Sequence, residues 1–369
     1  MLEKGKINAG EFEIIVIIFT LGSSILIGPS LLAAYAKQDA WIASFLSLFI
    51  GLFFIFLYNQ LSSNYPKMTF VEITEKILGK WVGSAVSFLF LFYFLIISAG
   101  LLREIGDFLT TQIIVETPIQ MIMIAFIIIS MIGVKLGIEV ISRTAIIFFP
   151  WMILMLILLF VFLIPEVEIS NIQPIFGEGF QAIANATYRS LGLPYLELFI
   201  FLMITPFVTD KHGSKKAFYK GTIIGGVIMS ILIIFTILVL GADFTTRHAY
   251  PSYILGKQIS LGTVIERLEV IVAIIWFFSM YFKLTICYYG ITLGIAQLFK
   301  LNSYKILVSP LAFLQVTSAL ILYPDTVYFK DFLVKTWTPY SLTICFFIPC
   351  CLLIATKVKK TKMNKESGR

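Results

Sequence analysis

The groups in this chain that could do chemistry fall in three short stretches of otherwise apolar sequence. FTLGSSILIGPSLLA (19–33) sets Gly22, Ser23, Ser24, Gly28 and Pro29 into one hydrophobic run. TYRSLGLPYLELF (187–199) sets Gly192, Leu193, Pro194 and Tyr195 into another, with Glu197 close behind. KLTICYY (283–289) carries Lys283. Gly and Pro interrupt a helix and free backbone N–H and C=O groups, which membrane depth tolerates only where something polar takes them up. Half-helix N-termini favour an anionic group such as a carboxylate, and freed carbonyls favour a cation or an ammonium. The chemistry expected is therefore recognition of a small polar ligand by exposed backbone, with Gly22, Ser23, Ser24, Gly192, Leu193 and Tyr195 around it. Glu197 is the one carboxylate deep inside a span and Lys283 the one ammonium, so both are candidates for proton or charge coupling. Lys283 could also stand in for a bound sodium ion. The plainer alternative is that the two pair across helices six and eight and fix their packing.

The elements that must position these residues are membrane spans. Of the 369 residues, 59% are hydrophobic and 13% charged, against roughly 25% charged in soluble domains. Apolar blocks long enough to cross ~30 Å of hydrocarbon read at 11–35, 40–62, 81–102, 118–134, 138–163, 184–207, 218–241, 265–298, 304–322 and 333–356. The eighth is long for one crossing, and splitting it would change the count. With ten spans and both termini in the cytoplasm, nineteen of the 28 cationic side chains fall in inner segments and eight in outer ones, with Lys283 inside a span. That asymmetry supports the orientation. The expected fold is an all-α integral membrane protein of ten transmembrane helices, built as one membrane domain. A first repeat covers 11–163, a second 184–356, and a basic cytoplasmic tail 357–369, which should sit on anionic inner-leaflet lipid. Spans one and six correspond if five spans are repeated twice, and paired Gly/Pro breaks in matching positions are the sequence mark of an inverted-repeat transporter site.

Outside the spans, TFVEITEKILG (69–79) has Thr69 and Glu72 at capping-box spacing and reads as a short interfacial helix. IPEVEISNIQPIFGEGFQ (164–181) reads as an ordered external loop. Weaker candidates for a central cavity are Tyr93 in span three and Tyr281, Thr285 and Tyr288 in span eight. Arg103, Glu104 and Asp107, at the outer end of span three, suggest a solvated salt-bridge cluster or a gate. The four cysteines lie in apolar stretches, and His212 and His248 fall on separate loops, so no disulfide framework or zinc site is expected. Neither a phosphate-cradling glycine loop nor a nucleophile elbow occurs. No enzyme and no cofactor is expected.

The short N-terminus, the FTLGSSILIGP break, GIEVISRTAIIFFPW (137–151) and NIQPIFGEG (171–179) together resemble the B subunits of GerA-type spore germinant receptors. That family lies within the amino acid–polyamine–organocation transporter superfamily. The resemblance spans nearly the whole chain and implies a LeuT-like 5+5 inverted repeat with helices 1 and 6 broken. It implies a permease-like subunit of the spore inner membrane that binds a small germinant, often an amino acid, and works with a larger membrane A subunit and a lipoprotein C subunit. It suggests a ligand site at Gly22, Ser23, Ser24, Tyr93, Gly192, Leu193 and the surroundings of Lys283. A proton-coupled amino acid transporter using Glu197 is the alternative built on the same fold, and a channel is a third reading.

Overall fold

In the computed structural model, residues 2–258 and 269–367 are described, with side chains through 359. The first span is two helices. In α1 (Ala9–Leu21), Asn8 and Glu11 form a capping box at the start, and the Gly22 N–H closes the end on the Ile18 carbonyl. α2 (Ser24–Ala36) starts afresh after Ser23, without a side-chain cap. Pro29 lies inside α2 and has no N–H to give to the Ile25 carbonyl four residues back. The Ser252 hydroxyl donates to that carbonyl instead, at 2.6 Å.

Spans two to five are α3 (Ala40–Asn64), α5 (Lys80–Gln112), α6 (Ile119–Leu136) and α7 (Ile138–Leu163), with α4 (Phe70–Leu78) between the first two. The Thr69/Glu72 capping box is formed, and Phe70, Ile73 and Ile77 turn into the protein, at most 3% exposed. Gly79 (φ +82°) lets α5 begin at once after α4, and Gly137 (φ +94°) does the same between α6 and α7. In that left-handed region a side chain would be strained.

The loop over 164–181 is ordered. Two short 3₁₀ turns run over Ile164–Glu166 and Ile169–Ile172, and the loop is tied back by Asn171 to the Leu238 carbonyl and by the Phe176 N–H to Asp39. The sixth span is again broken. α8 (Gly179–Ser190) gives way to turns over 191–196 and then to a 3₁₀ helix, Glu197–Met203. Seven residues is long for a 3₁₀ helix. Its side chains, ELFIFLM, are all at most 3% exposed, so packing on every side holds it.

The remaining spans are α9 (Lys211–Leu240), α12 (Glu269–Leu298), α13 (Val308–Leu322) and a composite tenth. The tenth runs without a gap through α14 (Thr326–Phe332), α15 (Thr338–Leu342) and α16 (Ile348–Ser367), joined by π-helical turns at Leu333–Trp337 and Thr343–Phe347. Two short helices, α10 (Ala242–Arg247) and α11 (Pro251–Lys257), lie between α9 and α12. The eighth span is one helix from Glu269; residues 265–268 of the expected span lie outside the described residues.

Eight described helical stretches are long and apolar enough to cross a membrane. One of them, Ser24–Asn64, joins half of span one to all of span two, and the pieces of span six are each too short. Ten passes result, and the first and last described segments emerge on one face, the terminal face. There Ile7 pairs with Phe207 and Thr209 through backbone hydrogen bonds. Glu3 accepts hydrogen bonds from the Tyr289 and Tyr304 hydroxyls. The basic tail begins as helix: α16 runs on to Ser367, and Lys359 donates to the Lys76 and Ile77 carbonyls near the end of α4. Arg369 lies outside the described residues.

Candidate functional site

The first break is built around close approach. A Cβ on Gly22 would collide with Cδ of Lys283 and lie 2.9 Å from the Phe19 carbonyl oxygen. Only glycine lets the α12 lysine cross the end of α1. Lys283 is fully buried. Its Nζ donates to the Ser23 hydroxyl at 2.7 Å, lies 2.5 Å from a Glu197 carboxylate oxygen, and sits 5.3 Å from the Phe19 ring centroid. The two breaks are thus joined through one ammonium, which neutralises the carboxylate at the head of the 3₁₀ helix. A charge pair this deep needs close geometry and further hydrogen bonds to offset its desolvation, and Ser23 supplies one.

The second break is held by the tenth span. The Trp337 indole N–H donates to the Gly192 carbonyl at 3.2 Å, and a Cβ on Gly192 would come within 2.7 Å of the Thr338 hydroxyl. Tyr93 stacks on Trp337 with centroids 5.3 Å apart and planes 9° apart, and its hydroxyl donates to Ser341. Trp337 lies in a π-helical turn, an irregularity that often marks functional sites.

Three cavities meet these elements. A small inner cavity, with room for about one water, is lined by Ser23, Leu193, Glu197 and Glu104, with Gly100 and Trp337 among its walls. Beyond it, away from the terminal face, a roomier outer cavity is lined by α2, α10, the turn over 248–250 and α14. Glu104, Phe329 and Leu333 belong to both. A third cavity, also small, lies on the far side of Leu193, against Ser24, Pro194, Tyr195, Ser44 and Ser190.

The expected site residues therefore separate. Ser23, Leu193, Glu197 and Lys283 come together at the inner cavity, with Gly22 giving Lys283 room. Ser24 and Tyr195 turn to the third cavity, where Tyr195 packs on Gly51 and Gly226. Tyr93 and Gly192 brace the tenth-span wall. Arg103 and Asp107 correct the expectation of a solvated cluster: they are 8% and 3% exposed and ion-paired at 3.0 Å. Arg103 also donates to the Tyr323 and Pro324 carbonyls, fastening α5 to the turn before α14. Trp337 and Glu104 are among the lining residues that sequence reasoning did not place at the site. Glu104 was visible as a charge, but the expected end of span three at 102 put it outside; α5 runs on to Gln112. Among the described residues, no group of His, Cys, Asp and Glu could hold a metal ion.

This arrangement defines a multi-pass membrane protein of the LeuT-like transporter fold. The chain superposes on a Na⁺-coupled sialic acid symporter with a TM-score of 0.63 at 14% identity, covering 93% of this chain and 79% of that one. It superposes on Mhp1, a nucleobase-cation-symport-1 family transporter, with a TM-score of 0.68 at 11% identity, covering 93% and 78%. Within that class the chain belongs to the spore germination protein family, whose model matches residues 6–326. It is 28% identical to spore germination protein KB of Bacillus subtilis (strain 168), over 100% of this chain and 99% of the relative. To spore germination protein A2 of the same organism it is 27% identical, over 81% and 82%. These relatives bear out the resemblance to germinant-receptor B subunits.

Proposed function

We propose that this chain is the nutrient-sensing subunit of a spore germinant receptor, binding a small nutrient of the amino acid class at the two broken spans, reached from the outer cavity and admitted when the inner one widens. The observation that carries the reading is the junction of both breaks on Lys283, with Ser23 and Glu197 lining the same cavity. A ligand there touches the half-helices of both broken spans, so its affinity depends on their relative positions. Binding then shifts a conformational equilibrium only as far as the ligand prefers one state. Partner subunits, a larger membrane A subunit and a lipoprotein C subunit, read that shift. The terminal face is cytoplasmic, the outer cavity opens to the other side, and the membrane is the inner membrane of the spore.

Support for sensing over transport comes from the relatives, whose names tie them to germination. The fold itself serves either role. Purified protein in proteoliposomes separates them. Sensing predicts binding of a nutrient without net uptake; accumulation of labelled amino acid, abolished by Glu197→Gln, would favour a proton-coupled transporter instead.

A further inference from the structure

Glu104 sits where the inner and outer cavities meet and lines both. It is 3% exposed, and its Oε1 has no hydrogen-bond partner among the described residues. The Trp276 indole N–H is the nearest donor, but it approaches without good hydrogen-bond geometry, and a neutral N–H does not balance the charge. The neighbouring cations are committed elsewhere. Arg103 holds Asp107 and two backbone carbonyls, and Lys283 holds Glu197 and Ser23. Lys330 lines the outer cavity without closing on Glu104 Oε1. A buried carboxylate oxygen with no donor is costly, and an ionisable group kept within a span points to function.

We infer that Glu104 receives the ammonium group of the ligand, so that the receptor selects small primary amines with a short apolar body. The surrounding walls decide the class. A metal cation needs several oxygen ligands, whereas the rest of this junction is Phe329 and Leu333. A neutral polyol would leave the buried Glu104 charge without a counter-charge. One ammonium satisfies the carboxylate and leaves the carbon body against the wall. This deepens the nutrient-binding reading and rests on it.

The test uses the full-length protein in lipid nanodiscs, with tryptophan fluorescence as the readout, since Trp276 and Trp337 flank the cavity. Probes are the twenty protein amino acids, isobutylamine, D-glucose, myo-inositol and 2-hydroxy-3-methylbutanoate, the last being valine with its amine replaced by a hydroxyl. The expected result is that wild-type protein binds at least one amine-bearing probe. Glu104→Gln then binds it at least about tenfold more weakly, the loss expected of a charge-assisted hydrogen bond, and Glu104→Asp recovers part of the affinity. Monodisperse elution and an unchanged melting temperature show that the Gln variant is folded; if it is not, the Asp variant carries the comparison. Equal binding by the folded variants and wild type overturns the assignment of Glu104 alone, as does binding confined to amine-free probes. No binding of any probe to wild type overturns the nutrient-binding reading together with this one.

Discussion

Lys283 is the residue on which the two halves of the site depend. Replacing it with Met leaves the Glu197 carboxylate buried and unpaired, which costs about 3–5 kcal/mol. Replacing both, as Lys283→Met with Glu197→Leu, recovers most of that loss, because well-packed apolar side chains substitute for a buried pair at little or no cost. Thermal unfolding in detergent micelles measures both effects; a double variant no more stable than the single one would contradict them. The pair was legible in sequence because each charge stands alone in an apolar span. Glu104 was not. It follows Arg103 directly and precedes Asp107 by one turn, which reads as a wet helix end until α5 is seen to continue nearly three turns beyond Arg103. A charge's depth depends on where its helix stops, and boundaries are what local pattern fixes least.

Among elements, the broken spans were the most legible, since Gly and Pro inside an apolar run have a direct backbone consequence. The Gly22 break is also the most sensitive point. Gly22→Ala drives a methyl group into the Lys283 stem, and overpacking of this kind costs about 1–3 kcal/mol. The expected signature is a lower melting temperature together with weakened ligand binding, measured on the purified protein. Gly28→Ala, whose new methyl group would meet only the flexible end of Met229 at 3.2 Å, is the matched control and should do much less. The tenth span was less legible: Trp337 looks like any aromatic in a membrane helix until its π-helical turn aims it at Gly192. Trp337→Phe keeps one aromatic ring against Tyr93 but removes the N–H to the Gly192 carbonyl, for about 1 kcal/mol, and leaves a cavity where the rest of the indole sat. The loss should appear as weaker nutrient binding in titrations on nanodisc-embedded protein; unchanged affinity would mean that the wall is held by stacking on Tyr93 alone.

At the scale of the whole molecule, the ten passes and the terminal face lead to one prediction about orientation. A fluorescent protein fused after Arg369 should fold and fluoresce, as cytoplasmic fusions do, and alkaline phosphatase fused there should be inactive. The reverse pattern would invert the sidedness of both cavities. Architecture was readable because apolar block length is additive over the chain, and errors at single boundaries do not change it. Ligand identity was not, because it depends on which way a few side chains turn. Ser24 and Tyr195 share the break with Ser23 and Leu193, yet they line a different cavity. Sensing by the inner cavity is most directly tested in spores that retain this receptor as their sole nutrient receptor. Spores carrying the wild-type chain should germinate on at least one nutrient of a broad panel, and spores carrying Gly22→Ala at equal receptor abundance should need a much higher concentration of it or fail. Germination of the Gly22→Ala spores at the wild-type concentration would contradict the account.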